Sequence, residues 1–226
     1  MVFRFLPVVA ALFISSCVSI RDIPLDQHAS STINGKQLIV IKRPTPDFKA
    51  VTRKNMLAGP LIPIFGELVK HALIKSAGDS IVQEHNIQDS APEIAEEIAR
   101  LMESNYGIKY VGITSSVISE DDVSLISAEY KSFPLVLVLK TLNWGLLYFN
   151  PLSDRYRLFY LARLRLIDTS STSVIAEGLC RSVPELTDDA PSYEEMLENS
   201  AGRLKTEIDK AIRFCVSELS SKSLGM

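Results

Sequence analysis

One segment, residues 156–166, constrains the fold more than any other part of the chain. Apolar or aromatic side chains occupy every second position of it, and Arg157, Arg163 and Arg165 lie at positions between them. Because successive side chains of a β-strand point to opposite sides of a sheet, this alternation is typical of a strand with one side on the core. The chain therefore needs a sheet, and something apolar must cover one face of it.

The surrounding sequence extends this strand into a larger sheet. Residues 168–173 are turn-forming and residues 174–180 are a second apolar run, so together they predict a β-hairpin. Val, Ile, Leu and aromatic side chains are enriched in further segments that predict strands. These segments are 37–41, 110–114, 123–130, 135–142 and 146–149.

Three helices are predicted around these strands. Capping boxes that begin at Ser90 and Ser192 predict two helix starts. A third helix is expected over residues 63–82, with proline in its first turn. Residues 56–74 are unusually apolar, which fits either an internal core helix or a surface that contacts a partner or a membrane.

Composition agrees with a single folded domain. The chain has 226 residues, of which 46% are hydrophobic and 23% are charged, so it can bury a core without metals or many disulfides. The order of elements predicts an α+β domain over residues 37–226, with helices packed on one face of a mostly antiparallel sheet. A net charge of -3 provides no global field for a polyanion, so no nucleic-acid partner is expected.

The N-terminus has the pattern of a secretory signal peptide. Arg4 precedes an apolar run over residues 5–14. As a helix this run would be about 15 Å long, half of the ~30 Å hydrocarbon core of a bilayer, so it is too short for an ordinary spanning helix. We expect residues 1–16 to be removed on export.

A lipobox-like motif follows this run, made of Ile14, Ser15, Ser16 and Cys17. An aliphatic residue and two small residues before a cysteine resemble the lipobox of bacterial lipoproteins. The resemblance implies that the Cys17 sulfur receives diacylglycerol, that cleavage occurs before Cys17, and that acyl chains such as palmitate hold the protein on a membrane. Because Val18 is not Asp, the same family pattern favours the outer membrane over the inner membrane. The alternatives are a chance cysteine after a plain secretory signal and a buried cysteine in an N-terminal helix.

Residues 17–36 separate the predicted lipid from the predicted domain. They are polar and unpatterned, which is typical of a loop. We expect this lipidated segment to act as a tether that lets the domain stand away from the bilayer.

The two remaining cysteines, Cys180 and Cys215, form an even pair in a chain that is expected to reach an oxidising compartment. Cys180 ends the second strand of the predicted hairpin, and Cys215 lies on the apolar stripe of the last helix. A helix packed across the sheet could bring the two sulfurs together in a disulfide. The alternative is two buried thiols that act as small hydrophobic side chains.

The sequence contains few candidates for catalysis. None of the three histidines has a zinc-ligand spacing, and no phosphate-binding loop, dinucleotide-binding glycine pattern or nucleophile elbow occurs. The acid pairs Asp121-Asp122 and Asp188-Asp189 lie in predicted loops, where carboxylates are usually solvated. We therefore expect no enzyme activity, no metal and no cofactor.

Two groups of side chains are candidates for an interaction surface. Arg157, Arg163 and Arg165 place cations along one strand, where they could meet an anionic partner or pair with acids on a solvated sheet face. Trp144 and Tyr148 belong to an aromatic cluster, which could anchor an interface or lie in the core.

The hairpin sequence over residues 162–177 resembles the strand-turn-strand of envelope lipoproteins related to the activators of peptidoglycan synthases and to the curli secretion lipoprotein. With the lipobox, this resemblance implies a non-catalytic lipoprotein on the periplasmic face of the cell envelope. It would act as an accessory or scaffold subunit of an envelope assembly, with a protein partner there. The alternative function is a periplasmic binding module that holds a lipid or small molecule between the sheet and the helical segment 56–82.

Overall fold

The computed structural model describes residues 21–52, 66–149 and 154–226. Helices and strands in these ranges are numbered separately in chain order. The helices are α1 Gln27–Thr32, α2 Gly66–His85, α3 Ala91–Tyr106, α4 Val123–Glu129 and α5 Tyr193–Lys222. The strands are β1 Gln37–Lys42, β2 Lys49–Val51, β3 Lys109–Val117, β4 Leu135–Tyr148, β5 Tyr156–Asp168 and β6 Ser173–Ser182.

The strands form one mixed sheet. Its order is β3-β1-β4-β5-β6, and β2 pairs with the C-terminal end of β4. The pairs β1-β3, β1-β4 and β2-β4 are parallel, whereas β4-β5 and β5-β6 are antiparallel. The predicted α+β class is confirmed, and the sheet is mixed rather than mostly antiparallel. Parallel neighbours need a crossover, which α2 and α3 supply between β1 and β3.

The main core lies between the sheet and the helices α2, α3 and α5. Ile94 and Ile98 of α3, Leu137 of β4 and Leu204 of α5 are fully buried in it. The alternate apolar side chains of residues 156–166 all lie in the same core, as their spacing predicts. This layer of helices positions the rest of the molecule by fixing one face of the sheet.

The opposite face of the sheet, called the far face below, carries the short helix α4. Ile126 of α4 packs there on Val136, Val138 and Ile167 in a separate apolar cluster. Helices therefore lie on both faces of the sheet, which corrects the prediction that they pack on one face only.

Helix α4 also corrects the strand that the sequence predicts over residues 123–130. The Asp122 carboxylate accepts hydrogen bonds from the backbone amides of Ser124 at 2.8 Å and Leu125 at 3.1 Å, which caps a helix start. Val123, Ile126 and Tyr130, spaced by three and four residues, are on the side that packs against the sheet. The short run of branched side chains hid this helical spacing.

The sequence predicts two strands over residues 135–149, but the structure has one long strand, β4. Its pairing with β5 shifts register between Thr141 and Asn143, so one residue is extra on the β4 side. Such a bulge breaks the alternation of side chains along a strand. The two halves of β4 therefore look like separate strands in the sequence.

The two predicted capping boxes have different outcomes. Ser192 and Glu195 form theirs at the start of α5, with hydrogen bonds of 2.7 and 3.2 Å in the two directions. Ser90 is the N-cap of α3, but its side chain makes no capping hydrogen bond. The neighbouring Asp89 carboxylate accepts a hydrogen bond from the Ala91 amide at 3.2 Å instead. Helix α5 is also interrupted, because residues 198–201 leave the helical conformation.

The two remaining cysteines are joined. Cys180 of β6 and Cys215 of α5 form a disulfide across a Cα–Cα distance of 5.3 Å, and both residues are fully buried. Of the two outcomes left open by the sequence, the structure contains the disulfide. It links the edge of the sheet to the helix that covers it.

Residues 21–36 belong to the folded body, which differs from the expected tether. The backbone of Ile23 pairs with Glu177 of β6 through two hydrogen bonds of 2.8 Å. Leu25 and Ile33 are 9% and 1% exposed, and Asp26 caps α1 between them. Two isolated apolar side chains in a polar segment are enough to dock it, and they give no periodic signal in the sequence.

The remaining predictions concern the N-terminus and the apolar segment 56–74. Residues 1–20, which include the predicted signal peptide and Cys17, lie outside the described residues, as do residues 53–65. The predicted third helix is present as α2, although only from Gly66 onward within the described ranges. Among the helices of those ranges, none has the length and apolar character needed to cross a membrane.

Candidate functional site

The far face of the sheet is covered at one end and uncovered at the other. Along β5, Arg163 and Ile167 are buried, whereas Arg157, Phe159 and Leu161 are only half-buried. Helix α4 and the loop before it cover the buried end. No element of the described residues covers the half-buried end, so the functional candidates on this face fall into two groups.

The first group is a buried ionic cluster centred on Asp121, called the Asp121 cluster. Both carboxylate oxygens of Asp121 lie 3.0 Å from Nη2 of Arg163. Arg43 Nη2 and Lys140 Nζ donate to the same carboxylate at 3.1 and 3.2 Å. Arg165 Nη1 donates to the Asp121 backbone carbonyl at 3.1 Å. A single aspartate on the loop before α4 thus gathers cations from β4, from β5 and from the residue after β1.

Glu177 of β6 completes this cluster. Its carboxylate lies 3.3 Å from Nε of Arg165 and 3.8 Å from Nε of Arg163. The side chains of Arg43 and Arg163 are only 1% and 4% exposed, so the cluster is mostly shielded from water. Two carboxylates therefore hold the guanidinium groups in place from opposite sides.

The electrostatics of Asp121 follow from this geometry. Burial by itself would raise the pKa of the Asp121 carboxyl, but the Arg163 guanidinium and the Lys140 ammonium more than offset burial and hold that pKa below its usual value. Burial also lowers the pKa of Arg43, against the attraction of Asp121. The carboxylate is therefore ionised and fully engaged with cations, so it is not a free general base.

The second group is a shallow depression of about 470 Å³ on the uncovered end, called the open face. Its floor consists of half-buried apolar side chains and its rim of basic ones. The floor residues are Val51, Leu147, Phe159, Leu161, Leu179 and Val183. The rim residues are Lys49, Arg157 and Arg181. Among the described residues that line it there is no Asp or Glu.

Strand register brings the open face together from four strands. Lys49 of β2 lies beside Gly145 of β4, which pairs with Phe159 of β5. One row further, Leu161 of β5 pairs with Arg181 of β6. Because neighbouring strands are about 4.8 Å apart, four strands give a face about 14 Å wide.

The three rim cations are not neutralised by acids. Lys49 and Arg181 are exposed, and neither makes an ion pair within the part of the chain that the structure describes. Arg157 donates from Nη1 to the Pro184 carbonyl at 2.9 Å, and its guanidinium lies 4.8 Å from the centre of the Phe149 ring. An apolar floor with an unneutralised basic rim is chemically suited to a molecule or surface that combines anionic and apolar groups.

A third polar group lies on the helical side of the sheet, around Asp89. Its Oδ1 accepts hydrogen bonds from Thr141 Oγ1 at 2.5 Å, the Ala91 amide at 3.2 Å and the Tyr160 hydroxyl at 3.3 Å. The Thr141 and Tyr160 hydroxyls are 2.7 Å apart. Burial raises the pKa of Asp89 against these hydrogen bonds, and burial also raises the pKa of Tyr160. These groups bind one another and join α3 to the bulge of β4.

The raised pKa of Asp89 gives a testable pH dependence. A group with a raised folded-state pKa contributes stability that is full below the unfolded pKa and is lost as pH rises through the folded pKa. Asp89→Asn keeps the acceptor oxygen and cannot ionise. The difference in urea midpoint, variant minus wild type, should therefore grow as pH rises above about 4. A difference that stays constant between acid and neutral pH would contradict a buried, hard-to-ionise Asp89.

A cavity of about 390 Å³ lies beside Asp89, between α2 and the sheet. Asp79 and Val82 of α2 line one side, and Phe48 and Trp144 line the other. This is the region in which the alternative function expects a ligand. Three aspartates, Asp47, Asp79 and Asp89, contribute to the lining, so the cavity is acidic and does not match an anionic lipid.

The structure separates the five residues of the predicted interaction surface. All three arginines lie on the far face, but Arg163 and Arg165 are engaged in the Asp121 cluster and only Arg157 reaches the open face. Trp144 is 2% exposed in the main core, which corrects its assignment to a surface. Tyr148 is half-buried, on the same side as Trp144.

Core packing explains the positions of the two aromatic residues. The Trp144 ring contacts Phe48 edge to face at 4.8 Å, and its Nε1 donates to the Pro46 carbonyl at 2.9 Å. The Tyr148 ring lies 6.4 Å from that of Tyr156. Both residues therefore stabilise the end of the sheet.

Sequence reasoning missed four residues of the far face. The pairing of Glu177 with Arg165 could have been found, because the predicted hairpin places the two opposite each other. Asp121 gives no such signal, since it comes from a loop far away in the chain. Lys49 was missed because the three-residue strand β2 is too short to show a period, and Arg181 because it follows the predicted strand.

Comparisons with known proteins give structural likeness only. No protein-family model and no curated protein matches the chain. The hypothetical protein CT253 from Chlamydia trachomatis is 11% identical, with a TM-score of 0.40, over 83% of this chain and 97% of that one. A homolog of a neuraminyllactose-binding hemagglutinin from Helicobacter pylori is 10% identical, with a TM-score of 0.37, over 84% and 83% of the two chains. The lipoprotein GNA1162 from Neisseria meningitidis is 13% identical, with a TM-score of 0.27, over 78% and 98%. Likeness at this level carries no argument about function.

Proposed function

We propose that this chain is a lipid-anchored protein of the bacterial cell envelope that acts without catalysis, as an accessory or scaffold subunit of an envelope assembly. The observation that carries the proposal is the lipobox-like sequence that ends at Cys17. The anchor is a diacylglyceryl thioether on Cys17, and the domain lies on the periplasmic side. Val18 after the cysteine favours the outer membrane.

The docking of the N-terminal segment supports action close to a membrane. Ile23 already pairs with β6, so the folded body begins a few residues after Cys17. Four residues separate Cys17 from Arg21, and four extended residues span at most about 14 Å. A lipid on Cys17 therefore holds the domain next to the bilayer rather than on a long tether.

The arrangement of ionisable groups supports a role without catalysis. A catalytic carboxylate must reach a substrate in a defined protonation state. Asp121 is held by four cations, and Asp89 is bound to Thr141 and Tyr160. In the described part of the chain, these buried acids stabilise the sheet.

Mass spectrometry and cell fractionation test the anchor. We expect the mature protein to begin at Cys17 and to carry the mass of its acyl chains, and Cys17→Ala to move from the membrane fraction to the soluble fraction. Cys180→Ala with Cys215→Ala is the matched control, because it also removes cysteines but should stay with the membrane. An unmodified Cys17 thiol, or a Cys17→Ala variant that remains in the membrane fraction, would contradict the proposal.

A second candidate function is a periplasmic binding module for a lipid or small molecule. The depression on the open face favours it. Native purification from membranes separates the two candidates. Stoichiometric protein partners support the scaffold, whereas a lipid or glycan that co-purifies without protein supports the binding module.

A further inference from the structure

We propose that the open face rests on the surface of an anionic phospholipid bilayer, with the side chains of its apolar floor among the lipid headgroups and its basic rim on their phosphates. This inference rests on the proposed lipid anchor at Cys17. It adds the orientation of the domain and the chemical class of lipid that the domain recognises.

The path of the N-terminal segment is the first argument. Ile23 and Glu177 form an antiparallel pair at the edge of β6. In such a pair, the residues before Ile23 run alongside those after Glu177, so the chain from Cys17 arrives from the direction of Leu179 and Arg181. Leu179 and Arg181 line the open face. The anchor therefore enters the fold beside this face and not beside the helical layer.

The reach of the anchor is the second argument. The Cα atoms of Cys17 and Arg21 can be at most about 14 Å apart. This is about the width of the open face itself, as estimated from the spacing of four strands. A membrane that holds the acyl chains of Cys17 therefore lies within contact distance of a face that begins at Leu179.

Charge is the third argument. Lys49, Arg157 and Arg181 surround the apolar floor, and the lining includes no acid among the described residues. The whole chain has a net charge of -3, so this local excess of cations runs against the overall charge. Anionic headgroups attract such a basic surface, and apolar side chains between the cations can enter the interfacial region.

The other end of the open face continues into apolar sequence. Val51 lies in the row of Leu147 and Arg157, and β2 ends there. The next residues in the chain include Arg53 and Lys54 and then the apolar run 56–65. The face is thus bordered at one end by the lipidated segment and at the other by a sequence with two cations before an apolar run, a composition typical of interfacial membrane segments.

Chemical modification of Lys49 tests the inference. The lipidated full-length mature protein is placed on vesicles of phosphatidylglycerol and phosphatidylethanolamine in equal parts, on phosphatidylcholine vesicles, and in detergent. Acetylation of single lysines is then followed by mass spectrometry. We expect Lys49 to react about fivefold more slowly on the anionic vesicles than on phosphatidylcholine. Lys205 on α5 is the internal control, because it is exposed on the helical side and should react equally everywhere.

A charge variant makes the test specific to the face. Arg181→Gln removes an exposed rim cation and should bring the Lys49 rate on anionic vesicles toward its rate on phosphatidylcholine. Lys205→Gln removes the same charge from α5 and should leave the protection of Lys49 unchanged. Equal effects of the two variants would overturn the inference, because the attraction would then depend on overall charge.

The remaining outcomes separate this inference from the proposed function. If Cys17 carries lipid and Lys49 reacts equally on both kinds of vesicle, the inference is overturned and the anchor stands. If Lys49 is also protected in detergent, increasingly so at higher protein concentration, the face is an interface between copies of the chain and the inference is overturned. If Cys17 carries no lipid, the proposed anchor fails first, and mass spectrometry detects this before any vesicle is used.

Discussion

Removal of the Cys180–Cys215 disulfide will lower the free energy of unfolding by about 3 to 4 kcal/mol. The bond closes a loop of 35 residues, and loss of the crosslink returns the entropy of that loop to the unfolded chain. Both cysteines are fully buried between β6 and α5, so no water can replace their packing. For a domain of this size, the expected loss corresponds to a fall in the melting temperature of about 6 to 16 °C.

The double variant Cys180→Ala with Cys215→Ala tests this expectation by thermal unfolding with and without a reductant. The native protein should lose stability when it is reduced, whereas the double variant should not respond to the reductant. The single variant Cys180→Ala, which leaves Cys215 as a free thiol, should resemble the reduced native protein. A native protein with alkylatable thiols at both positions, and with no response to the reductant, would show that the crosslink is absent in solution.

The parts of the fold that the sequence predicts are those with local and periodic signals. The strand over residues 156–166 alternates over its whole length, and each of its core-facing side chains is buried. The capping box of Ser192 and Glu195 depends on residues three positions apart, so it can be recognised without knowing the rest of the fold. In both cases the residues that decide the structure are close together in the chain.

The parts that the sequence does not predict depend on distant partners. Helix α4 is too short for its spacing to stand out, and its apolar residues are buried by β4 and β5. The N-terminal segment docks through Leu25 and Ile33, which occur singly in polar sequence. The Asp121 cluster joins a loop to β4 and β5 and to Arg43 after β1, so its existence follows from the sheet order. That order includes parallel neighbours that no local pattern specifies.

The same reason limits what the sequence predicts about the candidate site. The arginines of β5 form a regular series in the sequence, yet the structure divides them between a closed ionic cluster and the open face. The difference comes from Asp121 and Glu177, which neutralise Arg163 and Arg165, and from their absence near Arg157. Function on this face is therefore set by which cations the fold leaves without acids.

Replacement of Asp121 by asparagine is expected to destabilise the protein by about 2 to 3 kcal/mol at neutral pH. Loss of one partner from a buried ion pair costs about 3 to 5 kcal/mol, and the 39% exposure of Asp121 reduces this cost. Arg43 and Arg163 would remain buried with less compensating charge. The control is Asp47→Asn, which breaks an exposed pair with Lys75 and should leave the urea midpoint almost unchanged.

The pH dependence identifies the cause of this loss. Because nearby cations hold the pKa of Asp121 below its usual value, its stabilising effect is full above the unfolded pKa and disappears as pH falls through the folded pKa. The deficit of Asp121→Asn relative to wild type should therefore shrink as pH falls below about 4. Asp89→Asn should gain on wild type as pH rises above the same value, so the two variants separate a carboxylate that the fold needs charged from one that it needs neutral. If the deficit of Asp121→Asn persists unchanged in acid, the cations do not depend on that charge, and the Asp121 cluster is held by packing alone.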